Sequence, residues 1–231
     1  MDFADKVLYE DNHLLIVNKS AGDIVQGDKT GDTPLSEFGK AYLKKKYDKP
    51  GNVYLGVVHR LDRPTSGILI MARTDKALSR LNKMLVNHSI KKTYWAIVEK
   101  APKIEAAELR NFLKKNPKNN KSYVVGKNTD GAKEAILNYK LISSSDKYHL
   151  LQIELHTGRH HQIRAQLSNI GCIIKGDLKY GSKRNNNDAS ISLHARFLSF
   201  THPVKNTLME LTAAVPNDKL WKYFENNINR I

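Results

Sequence analysis

The chain has 231 residues, 40% of them hydrophobic and 26% charged, which is enough for a folded core in one domain or two packed subdomains. Its 38 Lys and Arg residues outnumber its 23 Asp and Glu residues, which gives a formal net charge of +15 and favours a polyanionic partner. No apolar run is long enough to span a membrane, and a single cysteine, Cys172, excludes an intrachain disulfide and a cysteine zinc cluster. We therefore expect a cytoplasmic protein.

Capping residues and apolar runs predict four strands and two helices in the first part of the chain. Thr33 and Pro34 fit the N-cap and the first position of a helix that reaches about Lys46. Thr74 or Asp75 fits the N-cap of the second helix. In chain order, the expected elements are strands Val7–Tyr9 and Leu14–Val17, the first helix with Leu35, Phe38 and Tyr42 on one face, strands Val53–Val58 and Gly67–Ala72, and the second helix with Leu78, Leu81 and Leu85 on one face.

Strand patterns dominate the rest of the chain. We expect only a short helix over His160–Asn169, stopped near Gly171, and a closing helix over Pro216–Asn227. The stretches Lys114–Lys121 and Asn185–Asn187 suit exposed loops. This mixed order of strands and few helices favours an α+β fold over a doubly wound parallel sheet. The expected strands are Thr93–Val98, Tyr123–Lys127, Ala135–Ile142, Leu150–Leu155, Ser192–Phe200 and Leu208–Ala213.

One acidic residue stands among cations in the segment HRLDRPTSG, which runs from His59 to Gly67. Arginines on both sides of Asp62 favour its ionised form, and an ionised, positioned carboxylate is suited to nucleophilic chemistry. Pro64 and Gly67 can hold this segment in a tight non-helical conformation. An ordinary loop ion pair fits the same residues, so this motif alone leaves both interpretations open. Motifs for nucleotide hydrolysis, hydride transfer and serine hydrolysis are absent from the sequence.

A second polar segment, HTGRHHQIR, runs from His156 to Arg164 across a predicted junction between a strand and a helix. Such a junction presents donors and a cation from a rigid corner. Its three histidines also suggest a metal site, but Gly158 interrupts any common helical face and no acidic partners accompany them, so we expect no metal here. A packed helix with solvated His and Arg side chains is the remaining alternative.

Taken together, these segments resemble the signature blocks of the RluA-type RNA pseudouridine synthases. Several spaced blocks that agree in order are far more specific than one motif, and the resemblance covers nearly the whole chain. The blocks are VLYEDNHLLIVNKSAG near the start, HRLDRPTSG, KKTYWAIV from Lys91 to Val98, HTGRHHQIR, IGCIIKGDLKYG from Ile170 to Gly181, and LHARFLSFTHP from Leu193 to Pro203.

The resemblance assigns roles to five residues. It implies that Asp62 is the catalytic carboxylate, that Tyr94 lies against the target base, and that Arg164 pairs with Asp62 to orient it. It also implies that Arg60 helps to displace the base and that Leu193 lines the uracil pocket. Considered alone, Tyr94 and Leu193 also fit sheet-core positions, and each arginine also fits a surface cation.

The implied reaction is the isomerisation of uridine in RNA, which breaks a C–N glycosidic bond, turns the uracil and rejoins it through carbon. Reactant and product are isomers, so we expect no cofactor. The partner is RNA, ribosomal or transfer, and Arg63, Arg159 and His161 in the two signature blocks are further candidate RNA-binding residues. We expect no membrane association, no obligate protein partner and a monomer.

The resemblance also implies a mixed, largely antiparallel sheet in two subdomains with a central catalytic cleft. It begins at about Val7, so we expect residues 1–231 to form a single catalytic domain without a separate N-terminal S4-like RNA-binding domain. Two positions depart from the family pattern: Ser20 follows Lys19 where Pro is common, and His160 occupies a site often filled by Thr or Ser. Neither departure touches the implied chemistry.

Two rival functions remain at this stage. A catalytically silent RNA-binding or RNA-folding protein on the same scaffold would tolerate replacement of Asp62, although the retained Asp62, Tyr94 and Arg164 disfavour it. A nucleoside hydrolase or glycosidase would release free uracil and would usually need a second carboxylate, for which the blocks offer no candidate.

Overall fold

The computed structural model describes residues 2–27 and 31–228, which form an α+β fold of two compact units. Unit 1 contains the residues up to Ile90 and the segment Phe197–Ala214, and unit 2 contains Lys91–Arg196 and the residues from Val215 onward. The fold class predicted from the sequence is confirmed.

The described strands of unit 1 are β1 to β4 and β11, those of unit 2 are β5 to β9, and β10 contributes residues to both units. The strands are β1 Val7–Glu10, β2 Leu14–Lys19, β3 Gly56–Val57, β4 Ser66–Ala72, β5 Lys91–Val98, β6 Ala106–Asn116, β7 Lys121–Val125, β8 Lys133–Ser144, β9 His149–Leu155, β10 Leu193–Thr201 and β11 Leu208–Thr212. The α-helices are α1 Leu35–Lys46, α2 Asp75–Val86, α3 Gln162–Asn169 and α4 Lys219–Ile228; short 3-10 helices span Phe3–Lys6 and Leu178–Tyr180.

Strand β2 is the centre of unit 1, where it pairs antiparallel with β1 and with β4. Because side chains alternate along a strand, its apolar run sends alternate residues to opposite faces. Leu14 and Ile16 enter a core that includes Leu81 of α2, and Leu15 and Val17 enter a core that includes Leu43 of α1. Strand β2 is thus buried on both faces, and so is β4.

A polar network fixes the β10–β11 hairpin of unit 1. Asp11, in the turn between β1 and β2, lies 3.0 Å from Nε2 of His202 and 2.8 Å from Nζ of Lys205. The backbone N–H groups of Val204 and Lys205 donate to Nδ1 of the same His202. Since Nδ1 accepts, Nε2 carries the proton that His202 donates to Asp11. These bonds account for His202, the second of the two histidines in the block LHARFLSFTHP.

Unit 2 is built on an antiparallel sheet in the order β5-β9-β8-β6-β7. Helix α4 inserts Trp221 and Phe224 into an apolar cluster with Trp95, Ile97 and Leu150 of the sheet. Helix α3 packs near β6 and β7 and contributes Ala165 to a second cluster.

Most of the predicted elements are confirmed with small shifts at their ends. The prediction over Val53–Val58 was too long, since only Gly56–Val57 pairs with β4. The prediction of an exposed loop over Lys114–Lys121 is confirmed only for the exposed turn at residues 117–120, because the stretch also includes the end of β6 and the start of β7. In the described part of the chain, no helix is both long and apolar enough to cross a membrane.

Candidate active site

The segment from His59 to Thr65 forms the loop that leads from β3 into β4 in unit 1. The backbone N–H of Thr65 donates to the carbonyl of Asp62 at 3.0 Å and closes a turn over Arg63 and Pro64. Immediately after the turn, Gly67 has φ 115°, a backbone conformation that side chains with a Cβ disfavour. Pro64 and Gly67 were predicted to permit a tight, non-helical segment, and the loop has that conformation. Asp62 is partly buried and is held at a fixed point of this loop.

A buried cation, the ammonium of Lys19, donates hydrogen bonds to the backbone of this loop. Lys19, the last residue of β2, is fully buried, and its ammonium donates to the carbonyl oxygens of Thr65 at 2.7 Å, Ser20 at 3.0 Å and Arg63 at 3.1 Å. Two of these acceptors, Arg63 and Thr65, lie within three residues of Asp62 in sequence. A separate backbone hydrogen bond also fixes the loop, because the N–H of Gly22 donates to the carbonyl of Arg63 at 2.9 Å. Lys19 therefore connects the end of β2 to the residues that directly follow Asp62 in the turn.

The electrostatics of Lys19 link it to the acidic residues around it. Burial lowers the pKa of Lys19 to about 8, while the negative charges of Asp23 and Asp62 act in the opposite direction. The three carbonyl acceptors also favour the protonated amine. At neutral pH, Lys19 is a cation that supports a negative charge on Asp62. Sequence reasoning noted Lys19 only as part of a family block and missed this function.

The other polar residues of the loop differ in exposure. His59 accepts a hydrogen bond at Nε2 from the backbone N–H of Ile70 at 3.2 Å, which ties the start of the loop to β4. Arg60 is exposed. Arg63 forms an ion pair with Asp32 at 2.8 Å, in which about half of each side chain is exposed, so this pair contributes little to stability. Both arginines are thus available at the surface of unit 1.

The segment HTGRHHQIR of unit 2 is anchored on strand β8. The hydroxyl of Thr157 accepts from the N–H of Ile136 and donates to Oε1 of Gln162, each at 2.8 Å. The same Oε1 accepts from the N–H of Arg159, and Nε of Arg159 donates to the carbonyl of Glu134 at 2.8 Å. The predicted corner between a strand and a helix is confirmed, and its backbone is fixed by side chains of its own sequence.

Arg164, on α3, is buried with a carboxylate partner. Its Nε and Nη2 donate to the two oxygens of Asp177 at 2.7 and 2.8 Å, and its side chain is 5% exposed against 1% for Asp177. The guanidinium also lies 5.0 Å from the centre of the Tyr180 ring. Asp177 and Tyr180 belong to the block IGCIIKGDLKYG, which the sequence analysis quoted without assigning these residues a role.

The two histidines at the start of α3 each contact a hydroxyl group of a neighbouring residue. His161 has φ 52° and lies 3.0 Å through Nδ1 from the hydroxyl of Tyr180, and His160 lies 2.9 Å through Nδ1 from the hydroxyl of Ser122. The two rings stack with centroids 3.8 Å apart. Among residues 2–27 and 31–228, no group of three or more His, Cys, Asp or Glu side chains could hold a metal ion.

Tyr94 and Leu193 are both buried in unit 2. Tyr94 lies on β5 opposite Ile153 of β9, and Leu193 begins β10. The N–H of Ile97 donates to the carbonyl of Ser192, which sets the start of β10 beside β5. Tyr94, Leu193 and the α3 residues therefore belong to unit 2, while Asp62, Arg60 and Arg63 belong to unit 1. The pairing of Arg164 with Asp62 stays a prediction.

The sequence of the chain matches the model of one protein family, described as RNA pseudouridylate synthase, over residues 13–169. The chain is 32% identical to the ribosomal large subunit pseudouridine synthase D of Zymomonas mobilis, over 94% of this chain and 71% of that protein. It is 34% identical to the ribosomal large subunit pseudouridine synthase C of Buchnera aphidicola, over 98% of this chain and 71% of that protein. The chain therefore belongs to the RNA pseudouridylate synthase family, in its RluA-type branch.

The fold agrees with this assignment. A solved structure described as human RNA pseudouridylate synthase domain containing 4 superimposes with a TM-score of 0.79 at 21% identity, over 98% of this chain and 94% of that chain. The family resemblance inferred from the sequence is confirmed, and the chain is an isomerase that acts on RNA.

Proposed function

We propose that this chain converts specific uridines of a structured ribosomal or transfer RNA into pseudouridine and that Asp62 is the catalytic carboxylate. The relatives from Zymomonas mobilis and Buchnera aphidicola, whose names refer to the large ribosomal subunit, favour ribosomal RNA. The formal charge of +15 supports a polyanionic substrate.

The observation that carries the proposal is the construction of the Asp62 turn. A catalytic carboxylate must be ionised and held in place before the substrate arrives. Here a backbone hydrogen bond closes the turn. The ammonium of Lys19 also donates to the carbonyls of Arg63 and Thr65 in the turn. An ordinary surface ion pair has no need of a buried cation beneath the loop, so this arrangement favours the catalytic interpretation.

The remaining site residues take the roles that the family resemblance implies. Tyr94 lies against the target base, Arg164 orients the carboxylate of Asp62, Arg60 helps to displace the base and Leu193 lines the uracil pocket. The exposure of Arg60 supports a part in base displacement. The rigid hold of Asp177 on Arg164 supports an orienting role for that guanidinium.

Two further residues complete the proposed RNA contacts, and a third, His161, supports them. Arg63 and Arg159 are exposed, which suits binding to the phosphate backbone. His161 is buried against Tyr180, so we assign it to holding the RNA-binding loop in place. A base inside a stem must be extruded before a pocket can reach it, at a cost of a few kcal/mol.

The chemistry balances without a cofactor. The bond between the sugar and the uracil nitrogen breaks, the uracil turns, and a bond between the sugar and a uracil carbon forms, while the proton on that carbon is lost and the released nitrogen gains one. Asp62 can stabilise or trap the electron-poor sugar, abstract a sugar proton, or add to the base. Each of these routes needs the same ionised carboxylate.

Product analysis with the purified chain tests the proposal. Ribosomal and transfer RNA transcripts are incubated with the wild-type chain or with Asp62→Asn, and the nucleosides are then separated. We expect pseudouridine from the wild-type chain alone, with RNA binding retained by the variant. Free uracil would instead indicate a hydrolase. Absence of pseudouridine despite RNA binding would favour the catalytically silent protein.

A further inference from the structure

Two adjacent lysines at the start of β5 occupy very different environments. Successive side chains of a strand point to opposite faces, so Lys92 shares a face with Tyr94, whereas Lys91 points the other way. Lys91 is exposed and Lys92 is partly buried. Burial lowers the pKa of Lys92, since a low-dielectric environment disfavours the ammonium.

The ammonium of Lys92 lies beside the segment HTGRHHQIR. A Cβ placed on Gly158 would meet Nζ of Lys92 at 4.0 Å. Gly158 is itself exposed and stands between Thr157 and Arg159. The charge of Lys92 is therefore directed to the exposed bend of this loop, on the strand face that also carries Tyr94.

Among the described residues, Lys92 has no protein acceptor for this charge. Within residues 2–27 and 31–228, its ammonium donates no hydrogen bond and forms no ion pair, whereas Lys19 has three carbonyl acceptors. The ammonium still reaches solvent, since it is not one of the fully buried polar atoms without a partner in the described residues, so an anionic ligand can reach it. The arrangement is that of a site whose acceptor is supplied by a ligand.

We propose that Lys92 binds a phosphate group of the RNA strand that carries the target uridine. An ammonium is a compact charge suited to phosphate, and phosphates are the anions that a basic RNA-binding chain meets. Along a strand, residues two apart are separated by about 7 Å, so a base against Tyr94 and a nearby phosphate on Lys92 fit one short RNA segment. This inference rests on the proposed function.

Charge-neutral variants of the two lysines test the proposal. Lys92→Met keeps the side-chain length and removes the charge, and Lys91→Met makes the same change at an exposed residue whose side chain points to the opposite face of the strand. Both are combined with Asp62→Asn, and binding of a fluorescein-labelled RNA stem–loop with uridines in its loop is measured against salt concentration. We expect Lys92→Met to raise Kd about tenfold and to reduce the salt slope by about one, as for one lost phosphate contact. We expect Lys91→Met to change Kd less than twofold.

Thermal unfolding separates this role from a structural one. Removal of a partly buried charge without a protein partner should leave Tm unchanged or raise it. A lowered Tm for Lys92→Met, and for Lys92→Gln as a second neutral variant, with an unchanged salt slope would overturn the proposal. Equal effects of Lys91→Met and Lys92→Met would also overturn it, since they would reflect net charge alone. Failure of the proposed function is seen separately, as absence of pseudouridine with the wild-type chain.

Discussion

Arg164 and Asp177 form a buried, two-point ion pair, with Nε and Nη2 of the arginine 2.7 and 2.8 Å from the two carboxylate oxygens. The planar guanidinium can satisfy both contacts in only one orientation. Its remaining nitrogen, Nη1, is therefore directed by the same contacts. Asp177 is a positioning residue for Arg164, and it lies outside the two segments that identify the family most clearly.

Replacement of this carboxylate should impair turnover. We expect Asp177→Asn to lower kcat about 100-fold, since the amide can accept at only one position and a small misorientation of catalytic groups is costly. Steady-state assays on the unmodified target RNA measure this effect. The exposed Asp146→Asn in the same unit is the control. Unchanged kcat in Asp177→Asn would show that the pair has no part in orienting Arg164 for catalysis.

Lys19 should act on the reaction through the Asp62 turn. Lys19→Met leaves the carbonyls of Ser20, Arg63 and Thr65 without their donor, at a cost of about 1–3 kcal/mol for each one that stays buried and unpaired. We expect a lower Tm and a fall in kcat larger than any rise in KM. Steady-state kinetics measure this split, with the exposed Lys45→Met as control. A variant that lost stability but kept kcat would limit Lys19 to a structural role.

The pH dependence of stability should also report on Lys19. The pKa of Lys19 is about 8 in the folded chain, whereas a lysine in the unfolded chain has the ordinary value of 10.5. Between pH 8 and pH 10.5, the unfolded chain therefore binds more protons than the folded chain. Stability therefore rises with pH in this window, and the penalty for burying the ammonium is fully present below pH 8. We expect the free energy of unfolding of the wild-type chain to gain on the order of 3 kcal/mol relative to Lys19→Met between pH 8 and pH 10.5. Urea unfolding at several pH values measures it, and a constant difference would contradict the lowered pKa.

The sequence predicted those parts of the fold whose signals are local. Strand β2 has a continuous apolar run, and Thr74 caps α2 by accepting from the N–H of Ala77 at 3.2 Å. Strand β6 was missed because Leu113 is its only buried residue and Asn111 interrupts the alternating face that Ala107, Leu109 and Leu113 form. Its strand character comes from pairing with β7 and β8, which one segment cannot display.

The residues of the candidate site also fall into two groups, those that the sequence identified and those that it did not. Asp62, Tyr94 and Arg164 were found because they stand in recognisable blocks. Lys19 and Asp177 were not, since a buried charge and a solvated one look the same in a sequence. Their partners lie far along the chain: the carbonyl of Thr65 is 46 residues from Lys19, and Arg164 is 13 residues from Asp177. Only the folded structure reveals such pairs.

The central claim, that Asp62 is the catalytic carboxylate of an RNA pseudouridine synthase, is tested most directly in cells. Pseudouridine is mapped in total RNA from cells with the native gene, without it, and with the gene encoding Asp62→Asn at equal protein abundance. We predict that one or more sites in ribosomal or transfer RNA are lost in both altered strains. A site that disappears on deletion but persists fully with Asp62→Asn would contradict the assignment of Asp62.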